Sequence, residues 1–165
     1  MEADATLKGQ VAMTPRLNMH TASPEAAKAM LAVENATHNL TIGPALRMLI
    51  KMRVSQINGC AYCLDMHAPE ALKAGVTQQQ LDVLAAWRES PAFDARERAA
   101  LGWADALTRI EATGAPEADH AALAEAFSKE EQVDLTLIIN VINAWNRFAV
   151  GFRTQHPARK ARDAA

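Results

Sequence analysis

Helix-capping signals recur along the whole 165-residue chain, and they restrict its fold more than any other feature. Ser23 followed by Pro24 is typical of an N-cap and the first helical position, because proline needs no backbone hydrogen-bond donor there. Gly75 stands where a glycine commonly ends a helix in the left-handed conformation. These signals adjoin segments whose apolar residues repeat at helical spacing, whereas alternating β-branched runs are missing. The sequence therefore predicts an all-α fold.

Six to seven helices are predicted within a single domain. Their expected positions are residues 24–38, 44–57, 60–74 and 77–87, followed by helices that begin near Asp94, Pro116 and Ser128. Asp94 and Ser128 each precede a glutamate by three residues, which is the spacing of a capping box. We expect residues 15–153 to form a helical bundle, with flexible tails at residues 1–14 and 154–165.

The composition fits a globular domain that does not bind nucleic acid. Half of the residues are apolar, and a chain of this length buries roughly 70% of its extended-chain surface when it folds. The 17 lysines and arginines are balanced by 19 aspartates and glutamates. A nucleic-acid-binding domain usually carries a basic excess, so this partner is not expected.

No membrane partner is expected either. The longest apolar stretch, residues 135–150, is interrupted by Asn140, Asn143 and Asn146, and a spanning helix needs about 20 apolar residues. The first dozen residues lack the apolar segment of a signal peptide. We therefore expect a cytoplasmic protein, in which a cysteine pair is more often redox-active or metal-binding than structural.

The three asparagines of this stretch predict polar contacts inside the fold. Asparagine is a poor helix former, yet Asn140, Asn143 and Asn146 recur at a spacing of three in an apolar helix. We interpret them as bridges to backbone groups of neighbouring helices or subunits.

The reactive side chains are concentrated in one segment. Cys60, Cys63 and His67 lie within eight residues, and their spacings of three and four place them on one face of a helix. Ionising half of a cysteine population at pH 7 requires roughly 2 kcal/mol, and a helix N-terminus supplies only about 0.3–1 kcal/mol. A histidine oriented by an acid can supply the rest, and the second thiol can then form a disulfide with the oxidised first one. This pattern favours a redox-active dithiol.

Three other interpretations of the cysteine pair are open. A structural zinc site would need a fourth ligand, and no other histidine lies at zinc-finger spacing; these residues are His20, His38, His120 and His156. The cysteines could also be inert core residues, or they could form a structural disulfide. Because redox chemistry is the favoured interpretation, we expect no metal and no cofactor.

The Cys60-x-x-Cys63-x-x-x-His67 segment resembles the signature of the alkylhydroperoxidase D-like members of the carboxymuconolactone decarboxylase family. It is similar to their single-domain, peroxidase-related branch. The resemblance extends over residues 15–152, and the segments that carry it outside the signature are residues 49–59, 87–89, 97–101 and 142–147.

This resemblance implies an all-helical homo-oligomer, commonly a trimer or hexamer, that reduces hydroperoxides. It implies that Cys63 attacks the hydroperoxide and that Cys60 resolves the resulting sulfenic acid as a disulfide. His67 is one helical turn from Cys63 and nearly two from Cys60, which agrees with that assignment. The second substrate would be a dithiol reductant, such as a lipoylated or thioredoxin-like protein.

One position departs from the family pattern. Met48 stands twelve residues before Cys60, where these proteins usually have a glutamate that relays protons through water and the histidine. Glu97 is our first candidate to replace it, although its place in a capping box gives it a structural alternative. Glu34 and Asp65 are further candidates. We expect a cysteine peroxidase of antioxidant defence, and the alternative is a non-catalytic oligomeric thiol redox sensor or scaffold.

Overall fold

The computed structural model describes residues 13–157, which contain nine α-helices and no β-strand. The helices are α1 (Met19–Ala22), α2 (Pro24–Ala36), α3 (Pro44–Ile57), α4 (Ala61–Lys73), α5 (Gln78–Val83), α6 (Ala95–Thr108), α7 (Ile110–Thr113), α8 (Glu117–Ala126) and α9 (Lys129–Phe152). Two 3₁₀ helices, Thr37–Asn39 and Leu84–Ala86, directly follow α2 and α5. The predicted all-α class is confirmed.

Seven of these nine helices are the predicted ones. The predicted bounds of α3 are those observed, and α2 and α5 reach almost to their predicted ends when the 3₁₀ helices are included. The two additional helices, α1 and α7, have four residues each, and a single turn is too short to show a helical repeat of apolar residues. The predicted tails, residues 1–14 and 154–165, lie mostly outside the described residues.

Capping boxes open α6 and α9, as the sequence predicts. The Asp94 side chain accepts a hydrogen bond from the Glu97 backbone N–H at 2.8 Å, and the Glu97 carboxylate accepts one from the Asp94 N–H at 3.0 Å. Ser128 and Glu131 make the same reciprocal pair at the start of α9. Each box satisfies backbone donors that have no partner within the helix.

The core is built around α3. This helix packs against α4, α6 and α9, and residues 48–55 are all buried. The buried apolar residues of α3 include Leu49, Ile50 and Val54, and the buried polar residues of this segment are hydrogen-bonded to neighbouring helices. The segment with Cys60, Cys63 and His67 follows α3 directly, so its position is set by the most buried element of the fold.

A buried ion pair joins α3 to α6. The Arg53 guanidinium donates two hydrogen bonds to the Asp105 carboxylate, at 2.6 and 3.0 Å, and Trp87 Nε1 donates a third at 3.3 Å. Removing one partner of such a pair costs about 3–5 kcal/mol, because the other charge is then left buried without compensation. The pair therefore fixes α6 beside the central helix.

In residues 13–157, α9 is the one helix that is long and apolar enough to cross a membrane by length and composition. A core helix of a soluble protein passes the same test, and α9 packs against α3 and α6. Its buried residues are Leu135, Ile138, Ile139, Val141, Ile142, Asn143 and Asn146. The fold is of the type found in soluble proteins, and the cytoplasmic location stays a prediction.

Candidate active site

A tight turn connects α3 to α4, the helix that carries the cysteine pair. Gly59 has a φ of +64°, the Gly59 N–H donates to the Gln56 carbonyl at 3.2 Å, and the Cys60 N–H donates to the Ser55 carbonyl at 3.0 Å. These two bonds form a Schellman motif, in which a glycine takes the left-handed position without steric penalty. The motif ends α3 and makes Cys60 the N-cap of α4.

Cys60 and Cys63 are joined by a disulfide at this N-terminus. Their Cα atoms are 5.3 Å apart, and Cys60 Sγ accepts a hydrogen bond from the Cys63 N–H at 3.3 Å. The predicted helix begins at Cys60, whereas α4 begins one residue later, because the turn geometry makes Cys60 the N-cap. Both sulfurs therefore lie at the positive end of the helix dipole. Cys60 is 1% exposed and Cys63 is 2% exposed, so the disulfide is enclosed.

Two asparagines of α9 hold the turn in place. Asn58 Nδ2 donates to Asn143 Oδ1 at 2.9 Å and to Asn146 Oδ1 at 3.0 Å, and Asn146 Nδ2 donates to Ser55 Oγ at 3.1 Å. Asn143 and Asn146 bridge to neighbouring helices, but their partners there are side chains and not the predicted backbone groups. Asn140 is exposed. A buried polar network whose groups are bonded to one another restricts the conformations of the turn.

His67 lies one helical turn beyond Cys63, in the position predicted for a base. Its ring is 7% exposed, and Nδ1 is 2.7 Å from Oε2 of Glu70, whose side chain is half exposed. With Nδ1–H donating to this carboxylate, Nε2 keeps a lone pair that can accept a proton. We did not single out Glu70 from the sequence, although its spacing of three from His67 indicates a contact on a helix.

A second buried ion pair lies beside His67. Lys51 Nζ of α3 is hydrogen-bonded to Oε1 of Glu34 from α2, and Trp145 Nε1 donates to the other oxygen at 3.2 Å. His38 Nε2 lies 3.5 Å from the same Oε1. Burial acts to raise the pKa of Glu34, but the hydrogen bond and charge of Lys51, with the charges of His38 and His67, hold that pKa below its usual value. Glu34 is therefore a carboxylate anion at neutral pH.

Burial lowers the pKa of His67 below the ordinary value of a histidine, and the charge of Lys51 acts in the same direction. The hydrogen bond that Nδ1–H donates to Glu70 opposes this lowering, as do the charges of Glu70 and Glu34. The net effect keeps the His67 ring neutral at pH 7. A neutral imidazole next to a thiol can accept its proton.

Glu97 lies in a different part of the structure from this cluster. Its carboxylate accepts hydrogen bonds from the Asp94 N–H and from Gln80 Nε2, the latter at 3.0 and 3.2 Å. The capping-box interpretation is confirmed, and a catalytic role for Glu97 stays a prediction that these contacts do not support. Met48 is buried in α3. Among residues 13–157, no three or more histidine, cysteine, aspartate or glutamate side chains are grouped to hold a metal ion.

The sequence model of the carboxymuconolactone decarboxylase family matches residues 24–106, which include both cysteines and His67. The chain belongs to this family. An uncharacterized Bacillus subtilis protein, YdfG, is 40% identical to it over 138 residues, which are 84% of this chain and 94% of the relative.

Two crystal structures show that the chain has an alkylhydroperoxidase D-like fold. A protein of unknown function from Agrobacterium tumefaciens, described as a candidate antioxidant defence protein AhpD, is 47% identical with a TM-score of 0.86; the match covers 88% of this chain and all of the other. An uncharacterized peroxidase-related protein from Silicibacter is 28% identical with a TM-score of 0.73, covering 88% of this chain and 78% of the other. The family resemblance is confirmed.

The environment of His67 predicts how its ring titrates. We expect a pKa below the ordinary value of about 6.5, and a further decrease in Glu70→Gln, because the Glu70 carboxylate favours the protonated ring. A histidine with a lowered pKa binds fewer protons in the folded state than in the unfolded state. Its contribution to the free energy of unfolding is therefore complete above about pH 6.5 and decreases as the pH falls through the folded-state pKa.

NMR titration of the imidazole resonances measures this pKa. Glu125→Gln, in an exposed position on α8, is the control and should leave the His67 titration unchanged. A wild-type His67 that titrates at or above the ordinary histidine value would contradict the prediction.

Proposed function

We propose that the protein is a dithiol-dependent cysteine peroxidase that reduces hydroperoxides in antioxidant defence. The observation that carries the proposal is the enclosed Cys60–Cys63 disulfide at a helix N-terminus, one turn from a histidine that is bonded to a carboxylate. Enzymes occur in the family, as its name records. The relatives described as an antioxidant defence protein and as peroxidase-related give further support.

The first step uses the reduced pair. The Cys63 thiol transfers its proton to Nε2 of His67, and the thiolate attacks the terminal oxygen of the hydroperoxide. The O–O bond breaks, the departing alkoxide takes up a proton delivered through His67, and an alcohol is released. Cys63 is thereby oxidised to a sulfenic acid. The hydrogen bond from Nδ1 to Glu70 orients the ring and stabilises the transient imidazolium.

The second step forms the disulfide present in the structure. The Cys60 sulfur attacks the sulfenic acid sulfur of Cys63, the S–O bond breaks, and the hydroxyl leaves as water with the Cys60 proton. The assignment of Cys63 as the attacking residue rests on His67, which is one turn from Cys63 and nearly two from Cys60. The helix dipole acts on both sulfurs and does not distinguish them.

A dithiol then returns the pair to its reduced form through a mixed disulfide. Because Cys60 and Cys63 are only 1% and 2% exposed, a slender dithiol arm fits this site better than a broad protein surface. Of the two expected reductants, a lipoylated protein is therefore favoured over a thioredoxin-like one.

A thiol redox sensor or scaffold is the second candidate. The observation that favours it is Met48, which is buried where the family resemblance implies a proton-relaying glutamate. A site without this relay could be oxidised once and turn over slowly. Repeated turnover with a reductant distinguishes the peroxidase from the sensor.

Substitution of each cysteine tests the peroxidase. With an organic hydroperoxide and a dithiol, the wild type should consume many equivalents of peroxide, whereas Cys63→Ser should consume none, because it lacks the attacking sulfur. Without the dithiol, which would itself reduce a sulfenic acid, Cys60→Ser should consume about one equivalent and accumulate a sulfenic acid that dimedone labels at Cys63. Peroxide consumption and peptide mass spectrometry measure these outcomes.

Equal rates of peroxide consumption by the wild type and Cys63→Ser would exclude the proposed peroxidase function. Consumption of a single equivalent by the wild type in the presence of excess dithiol would favour the sensor instead. Dimedone labelling of Cys60 in Cys63→Ser would reverse the assignment of the two cysteines.

We propose that Glu70, and not Glu97, is the acid that acts with His67. Glu70→Gln should slow peroxide reduction at pH 7 by at least about tenfold, since the ring loses its orienting carboxylate. Glu97→Gln should keep the wild-type rate, because glutamine also serves at the third position of a capping box. A slower rate in Glu97→Gln than in Glu70→Gln, at equal helical circular dichroism, would restore Glu97 as the relay.

We propose that the protein is a homo-oligomer that assembles through α2. This helix carries apolar side chains on most of its surface, yet only Ala27 is buried, and Leu31 is 44% exposed. An apolar helix face of this kind is typical of an interface. The family resemblance implies a trimer or hexamer.

Sedimentation velocity measures this assembly at micromolar concentration. We expect an oligomer that Leu31→Glu converts to smaller species, because a charge is placed in the interface. Ile110→Glu, an equally exposed apolar position on α7, should leave the assembly intact. A monomeric wild type would exclude the proposal.

A further inference from the structure

Lys51 is buried although it carries a charge. It lies in the middle of α3 and is 4% exposed, and Glu34 is the carboxylate to which its ammonium is hydrogen-bonded. Burying an ammonium removes its hydration, and replacing a buried ion pair with apolar residues of similar volume is often neutral or stabilising. Packing alone therefore does not explain why α3 has a lysine at this position.

The register of the helices places Lys51 level with His67. A three-residue turn, residues 58–60, joins α3 and α4, which pack against each other as an antiparallel hairpin. Lys51 is six residues before the end of α3, and His67 is six residues after the start of α4, so each lies about 9 Å from the turn. Cys63 is similarly level with Ser55. Lys51 is thus about one helical turn from Cys63 along the hairpin.

Glu34 fixes the position of the Lys51 ammonium. Its carboxylate receives Lys51 at Oε1 and Trp145 Nε1 at Oε2, and His38 lies 3.5 Å away on the solvent side. These contacts come from α3, from α9 and from the 3₁₀ helix after α2, so several elements fix the carboxylate. The charged and titratable groups around Lys51 are therefore Glu34, His38 and His67.

We propose that Lys51 is an electrostatic positioning residue of the redox centre, whose ammonium stabilises the Cys63 thiolate in the reduced protein. This inference rests on the proposed function for its purpose, but the thiolate forms with or without peroxide. A dithiol reductant supplies two electrons and two protons to the disulfide and is itself oxidised to a disulfide. The Cys63 thiol then transfers its proton to His67, and the half-exposed Glu70 carboxylate offers that proton a path to solvent.

The charge of Lys51 acts on both partners of this proton transfer. A nearby cation favours the thiolate, as it does for other reactive cysteines. The same cation disfavours the imidazolium of His67, so it favours departure of the proton toward Glu70. Glu34 holds the ammonium of Lys51 in place as its hydrogen-bond partner. The pair therefore leaves a reactive thiolate next to a neutral histidine.

Alkylation of the reduced protein by iodoacetamide tests this role without any peroxide. Lys51→Met, which keeps the length of the side chain, should react at Cys63 about tenfold more slowly than the wild type at pH 7 and equally fast at high pH, where every thiol is ionised. Lys51→Arg should keep most of the wild-type rate. Lys73→Met, in the exposed last turn of α4, is the matched control and should react like the wild type.

Glu34→Gln tests the same role of Lys51, and here the alkylation rate of Cys63 is expected to change in the opposite direction. Removing the anion leaves the ammonium uncompensated, so Cys63 should be alkylated faster at pH 7, whereas a merely structural role of the pair predicts no such reversal. Slower alkylation of Glu34→Gln would overturn the proposal even if Lys51→Met failed to fold. A wild-type pH profile in a folded Lys51→Met would also overturn it. If the wild type failed to turn over peroxide, the proposed peroxidase function would be excluded, but the role proposed here for Lys51 would not be affected.

Discussion

The three-residue turn between α3 and α4 is the constraint on which the rest of the site depends. Gly59 in the left-handed conformation ends the most buried helix, and the next residue, Cys60, already caps the redox helix. Because the two helices share this short turn, the register between α3 and α4 is fixed. The disulfide, His67 and Lys51 are thereby brought together by backbone geometry, and α9 secures the turn through Asn143 and Asn146.

Within residues 13–157, buried polar groups connect the helices at several points. The Arg53–Asp105 pair joins α3 to α6, and the asparagine network joins α9 to the turn. Glu34 receives Lys51 of α3 and Trp145 of α9, and it lies on the helix whose apolar surface is left uncovered. An assembly through α2 would therefore place an intersubunit contact close to the redox centre.

Much of the fold could be predicted because its signals are local. Helix bounds follow from capping residues and apolar spacing, and α3 and the capping boxes at Asp94 and Ser128 were predicted on this basis. The single turns α1 and α7 were not, since four residues carry no period. For the site, the spacing of Cys60, Cys63 and His67 indicated a shared helix face. The observed helix begins one residue later than predicted, because the Schellman turn makes Cys60 its N-cap.

The sequence by itself determined the helical class, the family and the position of the cysteine pair and its histidine on one helix, since all of these depend on residues close together in the chain. Only the tertiary structure decided which charged groups surround that pair. Glu34 and Lys51 are 17 residues apart and meet across two helices, whereas Glu97, the carboxylate first favoured from the sequence, bonds to Gln80 and Asp94. The electrostatic environment of the cysteine pair depends on packing between helices that are distant in the sequence. The spacing of residues within one helix does not indicate it.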